Sequence, residues 1–240
     1  MEKTKLVDFI EKYNLGGNIE QAVITVKGNK LKTDFIAPSG TSMVGFVEKK
    51  GVEMENGTIG VASTSNFKKL LGIMDDIITE VEYGMNGEDI NELTFKDEHT
   101  QVSYVTGNPT IIPRAPELKD IPETDIEVVL DDYLIANFIK GKNALTDVKT
   151  FTVIPFKKGV KIVIGHSNIL SNTVSFEVKC SKFTKIDKLT FDAVLFKEIL
   201  AANKGAKSST MEVSKEGLMS LKFEGDDYNA QYYLVCKDEE

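Results

Sequence analysis

The chain has few of the residues on which common catalytic and metal sites depend. Its 240 residues include two cysteines and two histidines, His99 and His166, whose neighbours are unrelated. GxSxG, HExxH, Walker-type and paired CxxC motifs are all missing, so the sequence offers no recognisable nucleophile, metal or nucleotide site. We therefore expect no enzyme, no metal site and no cofactor. An active site made only of carboxylates stays open as a less favoured alternative.

Long apolar runs are also missing. The sequence has no stretch of 18 or more apolar residues, which excludes a membrane-spanning helix. The opening residues, MEKTKLVDFIEKYN, alternate charged and apolar positions at helical spacing and lack the apolar core of a secretory signal. Because Cys180 and Cys236 form no pattern, we expect an intracellular, reducing compartment and no disulfide framework.

Apolar periodicity predicts two helices in each half of the chain. In the first half, the first helix ends at Gly16-Gly17, and the second begins after Ser63, an expected N-cap. In the second half they begin at Asp131-Asp132 and at Asp192. The apolar faces, in order, contain Leu6, Phe9, Ile10 and Tyr13; Phe67, Leu70, Leu71 and Met74; Ile135, Phe138 and Ile139; and Phe196, Ile199 and Leu200.

Short runs with strand character, separated by turn residues, fill the rest of each half. In the first half we predict strands at Ala22–Val26, Leu31–Ile36, Ser42–Val47, Thr58–Ala62, Ile78–Tyr83, Glu92–Lys96 and Gln101–Val105. In the second half we predict strands at Lys149–Ile154, Val160–Gly165, Thr173–Lys179, Lys188–Phe191, Ser209–Val213, Leu218–Phe223 and Ala230–Val235. The fold class is therefore α+β, with two helices packed on a largely antiparallel sheet in each half.

The two halves repeat with a constant offset. Adding 129 converts Leu6, Phe9 and Ile10 into Ile135, Phe138 and Ile139, and the same offset converts Phe67, Leu70 and Leu71 into Phe196, Ile199 and Leu200. It also relates Ser63 to Asp192 and Tyr104 to Tyr233. We interpret the chain as a tandem duplication with domains at 1–107 and 126–240. The alternative is two unrelated α+β domains with helices of similar length.

Residues 108–125 are interpreted as the connector between the two domains. Together with Pro109, the segment IIPRAPELKDIPETD holds four of the six prolines and the only arginine, Arg114. Proline keeps such a segment extended and prevents it from folding into either half. A duplicated sheet domain also leaves strand edges unpaired. The candidate edges are HTQVSYV in the first half and TVSFEVK in the second. Pairing of one with the other on a neighbouring subunit would be heterologous and could close a ring.

Charge alone does not decide whether nucleic acid is a partner. The chain carries 28 lysines and a net charge of −8, whereas the helical segments 2–13, 64–74, 131–142 and 192–207 carry 0, +2, 0 and +1. A mildly basic helical layer can follow a polyanion through phosphate contacts that carry no sequence information. Lysines that merely cover solvated helix surface would give the same numbers.

The sequence resembles one known family. KLTFDAVLFKEILAANKGAKSSTMEVSKEGLMSLKFEGDDYNAQYYLVCKDEE resembles the end of proliferating cell nuclear antigen and its archaeal relatives, the toroidal DNA sliding clamps. ELKDIPETDIEVVL is similar to the connector of that family and the strand after it, and GVASTSNFKKLLGIM to a strand-to-helix stretch of its first domain. The similarity spans essentially the whole chain. Because the chain is shorter than the cellular members, a viral or phage member stays open.

The resemblance implies a non-catalytic homotrimeric ring of six similar domains, with helices lining the hole. Double-stranded DNA would pass through without sequence preference, and the ring would tether a DNA polymerase as its processivity factor. Other implied partners are the clamp loader and replication proteins with a short peptide motif. The location implied is with the replication machinery, in the host cytoplasm for a phage protein and in the nucleus for a eukaryotic one.

Three groups of site residues follow from the resemblance. The lysines expected to contact DNA are Lys5, Lys12, Lys68, Lys69, Lys140, Lys142, Lys204 and Lys207. The residues expected to contact partner peptides are Ile36, Met43, Leu118, Ile121, Pro122, Tyr233 and Val235. The residues expected at the subunit interface are Val102, Tyr104, Val174, Phe176 and Val178. Two other assemblies stay open, a subunit of a heterotrimeric checkpoint-type clamp and a monomeric viral processivity factor.

Overall fold

The structure is a computed structural model that describes residues 1–38, 42–166 and 171–237. The chain divides into two compact units. The first contains the described residues of Met1–Gly40, Val44–Pro116 and Asp227–Ala230, and the second those of Thr41–Met43, Glu117–Asp226 and Gln231–Glu240. The division after Pro116 falls inside the segment interpreted as the connector.

The helices of the first unit form as their sequence predicts. Helix α1 spans Lys3–Asn14, buries Leu6, Phe9, Ile10 and Tyr13, and ends where the chain turns left-handed into a short 3₁₀ segment, Leu15–Gly17. Helix α2 spans Thr64–Leu71, and its N-cap is Ser63, whose hydroxyl accepts a hydrogen bond from the Asn66 amide at 3.4 Å. The cap satisfies one of the free amides at the start of the helix.

The first unit also holds seven strands. They are β1 (Ala22–Lys27), β2 (Lys30–Ile36), β3 (Met43–Lys50), β4 (Gly57–Val61), β5 (Glu80–Asn86), β6 (Asp89–Lys96) and β7 (Gln101–Val105). Neighbours in the sheet follow the order β3-β2-β1-β4-β6-β5, and β7 pairs with β6. All these pairs are antiparallel except β4 with β6, which are parallel over two residues.

The second unit repeats this arrangement with additions. Its elements are β8 (Ile126–Val129), α3 (Asp132–Ala144), β9 (Thr150–Phe156), β10 (Gly159–Ile164), β11 (Val174–Lys179), β12 (Lys182–Phe183), β13 (Leu189–Asp192), α4 (Ala193–Ala202), β14 (Ser208–Val213), β15 (Leu218–Glu224) and β16 (Tyr228–Val235). The strand orders are β12-β8-β14-β15-β16 and β11-β10-β9-β13. Asp131 and Asp192 cap the two helices, accepting hydrogen bonds from the Leu134, Val194 and Leu195 amides at 2.7–2.9 Å.

The elements of the two halves repeat with the offset of 129 read from the sequence. Adding 129 to Lys3–Asn14 gives 132–143, and α3 spans Asp132–Ala144; adding it to Thr64–Leu71 gives 193–200, and α4 spans Ala193–Ala202. The α+β duplication is therefore confirmed. The periodicity did not predict β8 or the two-residue β12, although the family resemblance placed a strand after the connector.

An aromatic cluster forms the centre of each unit. In the first, Phe67 stacks on Tyr104 with ring centroids 4.5 Å apart. In the second, Phe196 packs against Phe138 and Phe151, with both centroid distances 4.6 Å. Since aromatic side chains bury large areas and prefer such offset or edge contacts, these clusters fix each helix pair on its own sheet.

Candidate functional site

The first helix pair carries three lysines with accessible side chains, Lys5, Lys68 and Lys69, of which Lys5 and Lys68 are half-buried. Lys5 lies 3.5 Å from the Glu2 carboxylate, and Lys68 lies 3.3 Å from the Glu11 carboxylate. Lys69 is exposed and forms no ion pair within the described part of the chain. Ion pairs that water can reach are weak, so the ammonium groups of Lys5 and Lys68, like that of Lys69, can turn to an external anion.

Lys140, Lys204 and Lys207 are exposed on or just after the helices of the second unit. Lys207 pairs with Asp226, and its side chain is still 67% exposed. Lys140 and Lys204 make no ion pair among residues 1–38, 42–166 and 171–237. The second unit therefore presents two uncompensated positive charges near its helices, as Lys69 does in the first.

Two of the lysines predicted to contact DNA, Lys12 and Lys142, are buried, and their burial speaks against that contact. Lys12 is 3% exposed and lies 2.8 Å from the Asp8 carboxylate, with its ammonium 3.9 Å from the ring centroid of Tyr228. Lys142 is 6% exposed and donates to the carbonyl oxygens of Leu145 and Thr146 at 3.2 Å. Neither ammonium group can leave these partners for phosphate without exposing buried surface.

The repeat contains a signal that identifies Lys142 as buried. Subtracting 129 from 142 gives Tyr13, the last residue of the apolar face of α1, which is fully buried. Lys142 thus occupies a core position of the duplicated domain, and its long aliphatic stem fills the place of the aromatic ring.

Lys12 belongs to a cluster that the sequence did not reveal. Lys49, on β3, is buried and donates to Asp8 at 2.7 Å and to Asp227 at 2.9 Å. Burial opposes ionisation of Asp8, but the hydrogen bonds from Lys12 and Lys49 outweigh it and hold the Asp8 pKa below its usual range. Burial likewise opposes the charge on Lys49, and its two carboxylate partners raise its pKa. The cluster therefore stays ionised and holds α1 against β3.

The predicted interface residues on β7 have inward-facing side chains, so only their backbone lies at the open edge of the strand. Val102 and Tyr104 are buried, and Tyr104 stacks on Phe67. Side chains alternate along a strand, so it is Gln101, Ser103 and Val105 that point away from the core, and Val105 is 74% exposed. In the described chain β7 pairs only with β6, so its other backbone edge is open.

The predicted interface strand of the second unit lies at a sheet edge. Among the described residues β11 pairs only with β10. Val174, Phe176 and Val178 are half-buried on one face of β11, with the Phe176 ring 6.4 Å from that of Phe138. These side chains cover the end of the helix layer, and the outer backbone edge of β11 is open.

The predicted peptide-contact residues differ in exposure. Leu118, Ile121 and Val235 are large apolar side chains at the surface, between 36% and 52% exposed, and Pro122 is half-buried. Met43 and Tyr233 are buried. The Tyr233 hydroxyl accepts a hydrogen bond from the side-chain amide of Gln231 at 2.6 Å. The exposed residues can contact a partner directly, and the two buried ones can only support such a surface from below.

Ile36, the remaining predicted contact, lines a cavity of about 500 Å³ within the first unit. Its apolar lining comes from Ile19, Ile36, Ala37, Pro38, Ala62 and Pro113. Glu20, Gln21 and Arg114 contribute the polar groups. Of these nine lining residues, the sequence analysis assigned only Ile36 to a peptide pocket. The other eight come from four separate segments of the chain.

Two further features of the described residues bear on the class of protein. In this part of the chain, no group of three or more histidine, cysteine or acidic side chains is arranged to hold a metal ion. None of the helices in the same ranges is both long and apolar enough to cross a membrane.

Comparison with solved structures supports the interpretation of the fold. The A. fulgidus proliferating cell nuclear antigen (PCNA), solved with the C-terminal region of FEN-1 bound, matches 100% of this chain and 98% of its own, with a TM-score of 0.74 and 17% identity. The Entamoeba histolytica PCNA matches 99% of this chain and 96% of its own, with a TM-score of 0.73 and 11% identity. No family model and no curated protein sequence matches the chain. Over its whole length the chain therefore has the fold of the PCNA-like DNA sliding clamps.

Proposed function

We propose that the chain is a DNA sliding clamp, a homotrimeric ring that encircles duplex DNA and tethers a replicative DNA polymerase to it as its processivity factor. The observation that carries this proposal is the match in fold over the entire chain to a clamp solved with a peptide segment bound. The role requires no catalytic step and no cofactor, and it places the protein with the replication machinery inside the cell.

Ring closure would use the two open strand edges. The backbone of β7 in one subunit would pair with that of β11 in the next, a heterologous contact that closes when three subunits complete the rotation. Val105 would contribute exposed apolar surface beside this pairing, and Val174, Phe176 and Val178 would close the neighbouring core. An unpaired edge otherwise favours uncontrolled association, which gives a physical reason for occupying it.

The inner wall would be formed by the helices. Lys5, Lys68, Lys69, Lys140, Lys204 and Lys207 remain candidates for phosphate contacts because they are exposed or half-exposed. Lysine binds phosphate as a point charge and reads no base sequence, which suits a ring that must slide. Such binding weakens steeply as salt concentration rises.

Partner proteins would dock short peptides along the second half of the connector. Leu118 and Ile121 expose apolar side chains there, next to Pro122, and Val235 exposes another near the end of the chain. The clamp loader and other replication proteins with a peptide motif would use the same surface. A few apolar anchors of this kind dominate the affinity of most peptide sites.

The test of the proposal is the native mass together with retention on circular DNA. We expect a mass three times the 26.6 kDa of one chain, and loaded protein that leaves the DNA quickly only after the circle is linearised. Val105→Glu should shift the mass toward the monomer, with Met85→Glu, an exposed residue of β5, as the control that leaves the trimer intact. A monomer at micromolar concentration that fails to tether a polymerase would overturn the proposal. A monomer that still holds DNA would favour the monomeric processivity factor. A chain that forms a ring only with a related subunit would favour the heterotrimeric clamp.

A further inference from the structure

One edge of the sheet in the first unit is open at the place where the second unit has a further strand. Adding 129 to Glu80–Asn86, the range of β5, gives 209–215, so β5 is the counterpart of β14. β14 pairs with β15 on one side and with β8 on the other. Among the described residues β5 pairs only with β6. The outer backbone groups of β5 therefore lack the partner strand that β8 supplies to β14.

Backbone hydrogen bonds show how far this edge is covered. The Met1 ammonium donates to the Ile78 carbonyl at 2.8 Å, and the Ile78 amide donates to the Met1 carbonyl at 3.0 Å. In the second unit the Leu130 amide donates to the Ser209 carbonyl at 2.9 Å, and the ladder then continues between β14 and β8. In the described part of the first unit the ladder stops at Ile78, just before β5.

The inward-facing side chains of β5 are less covered than their counterparts. The equivalent cross-strand pairs of the two units are Val81–Phe95 with Met211–Leu221, and Tyr83–Leu93 with Val213–Met219. Met211 and Val213 are fully buried, and they lie beside Val128 and Ile126 of β8. Val81 and Tyr83 are only half-buried. The first unit thus leaves accessible the apolar surface that β8 covers in the second.

The charges beside this edge favour one kind of occupant. Segments 52–57 and 75–86 together contain six acidic residues and no lysine or arginine, and the Tyr83 hydroxyl lies close to the Glu55 backbone. Glu80 and Glu82 are exposed, and both pair with one ammonium group, that of Lys96. Lys3, which pairs with Asp76, and the Met1 ammonium lie near the start of the edge. The excess of acid disfavours pairing of β5 with a second copy of itself and suits a basic strand.

We propose that the β5 edge binds an extended basic segment of a partner protein as an added antiparallel strand. Two apolar side chains of the segment, two residues apart, would cover Val81 and Tyr83, and basic side chains would lie opposite Glu80 and Glu82. β8 is the template, because Ile126 and Val128 have this spacing and are fully buried. Main-chain hydrogen bonds give such strand addition its affinity, and alternate side chains give it specificity. None of the residues expected to contact DNA, peptides or a neighbouring subunit lies on β5.

The test is an amide NMR titration of the full chain with three short probes. They are N-acetyl-Lys-Ile-Lys-Val-Lys-amide, the same peptide with glutamate for lysine, and the same peptide with serine for isoleucine and valine. We expect the first probe to shift the amide signals of β5 and to slow their hydrogen exchange, and the serine probe to do neither. The glutamate probe should bind at least about fourfold more weakly, the effect of two exposed ion pairs.

A charge reversal provides the variant. Glu80→Lys with Glu82→Lys should invert the order of the lysine and glutamate probes. The matched control is Glu88→Lys with Glu98→Lys, the same change of charge at exposed residues in the turns at either end of β6, and it should keep the order. Leu118→Ala with Ile121→Ala should leave the affinity of the lysine probe unchanged, which separates this edge from the connector surface.

Three results would overturn the proposal. The first is the absence of β5 shifts with the lysine probe, which would mean that the glutamates only protect the edge from association. The second is an order of probes that the charge reversal does not change. The third is a native mass of six chains that falls to three when Glu80→Lys breaks the contact, which would make a second copy the occupant. The titration needs neither a ring nor DNA, so its failure and the failure of the clamp function are independent results.

Discussion

Lys49→Met tests whether the buried charge cluster stabilises the first unit. The substitution keeps an unbranched apolar stem of similar length and removes the ammonium that joins Asp8 on α1 to Asp227. Because Lys49 is 3% exposed, water does not take over its two hydrogen bonds in the folded wild type. The change therefore isolates the contribution of one buried charge.

The expected magnitude follows from the exposure of the partners. Hydrogen bonds to charged groups contribute about 1.5–3 kcal/mol each. The Asp8 and Asp227 side chains are 43% and 39% exposed, so water compensates both carboxylates in large part after the ammonium is lost. We expect a net loss of about 2 kcal/mol in the free energy of unfolding. For a chain of this size that corresponds to a fall of about 4–8 °C in melting temperature.

The pH dependence distinguishes the charge from the packing. The pKa of Asp8 is lowered in the fold, so its stabilisation is fully present above the usual value of 3.8 and is lost as the pH falls through the lowered pKa. The pKa of Lys49 is raised, so its stabilisation is present below 10.5 and is lost only as the pH rises through the raised pKa. The difference between wild type and variant should be constant from about pH 5 to 9 and shrink in acid.

Thermal unfolding followed by circular dichroism measures this difference, and Lys32→Met is the matched control. Lys32 pairs with Glu48 at 2.6 Å, as close as the pairs of Lys49, but its side chain is 60% exposed. Its loss should therefore cost at most about 0.5 kcal/mol. Equal shifts for the two variants, or a Lys49→Met difference that persists unchanged in acid, would refute the reasoning.

Three further predictions concern function. Lys69→Glu, Lys140→Glu and Lys204→Glu combined should shorten retention on circular duplex DNA and leave the trimer mass unchanged; unchanged retention would contradict the assignment of the inner wall. Leu118→Ala with Ile121→Ala should weaken binding of a partner peptide by about tenfold or more, measured by fluorescence anisotropy, because exposed apolar anchors dominate such sites; equal affinity would place the site elsewhere. Lys69→Arg in the otherwise wild-type chain keeps the positive charge and should leave retention unchanged, since a sequence-blind phosphate contact needs only that charge; a marked loss would indicate a specific role for lysine.

The two faces of β7 show what the sequence of an edge strand does not determine. A five-residue strand such as QVSYV can be assigned from its β-forming residues, but its two faces are both consistent with the sequence. Val102 and Tyr104 face the core because Tyr104 meets Phe67 on α2, a contact between residues distant in sequence. The open edge was predictable, and the side chains that border it were not.

Local and repeated features of this protein were determined by its sequence. The helix faces and the caps Ser63, Asp131 and Asp192 depend on neighbours within a turn. The offset of 129 depends on the comparison of one half with the other. Both can therefore be read without coordinates. The burial of Lys12 and the two carboxylate partners of Lys49 were decided only by the tertiary structure. Each depends on which distant segment packs against the side chain, as when Asp227 approaches Lys49 across 178 residues, and a lysine on a helix or a strand carries no local sign of which partner the fold will supply.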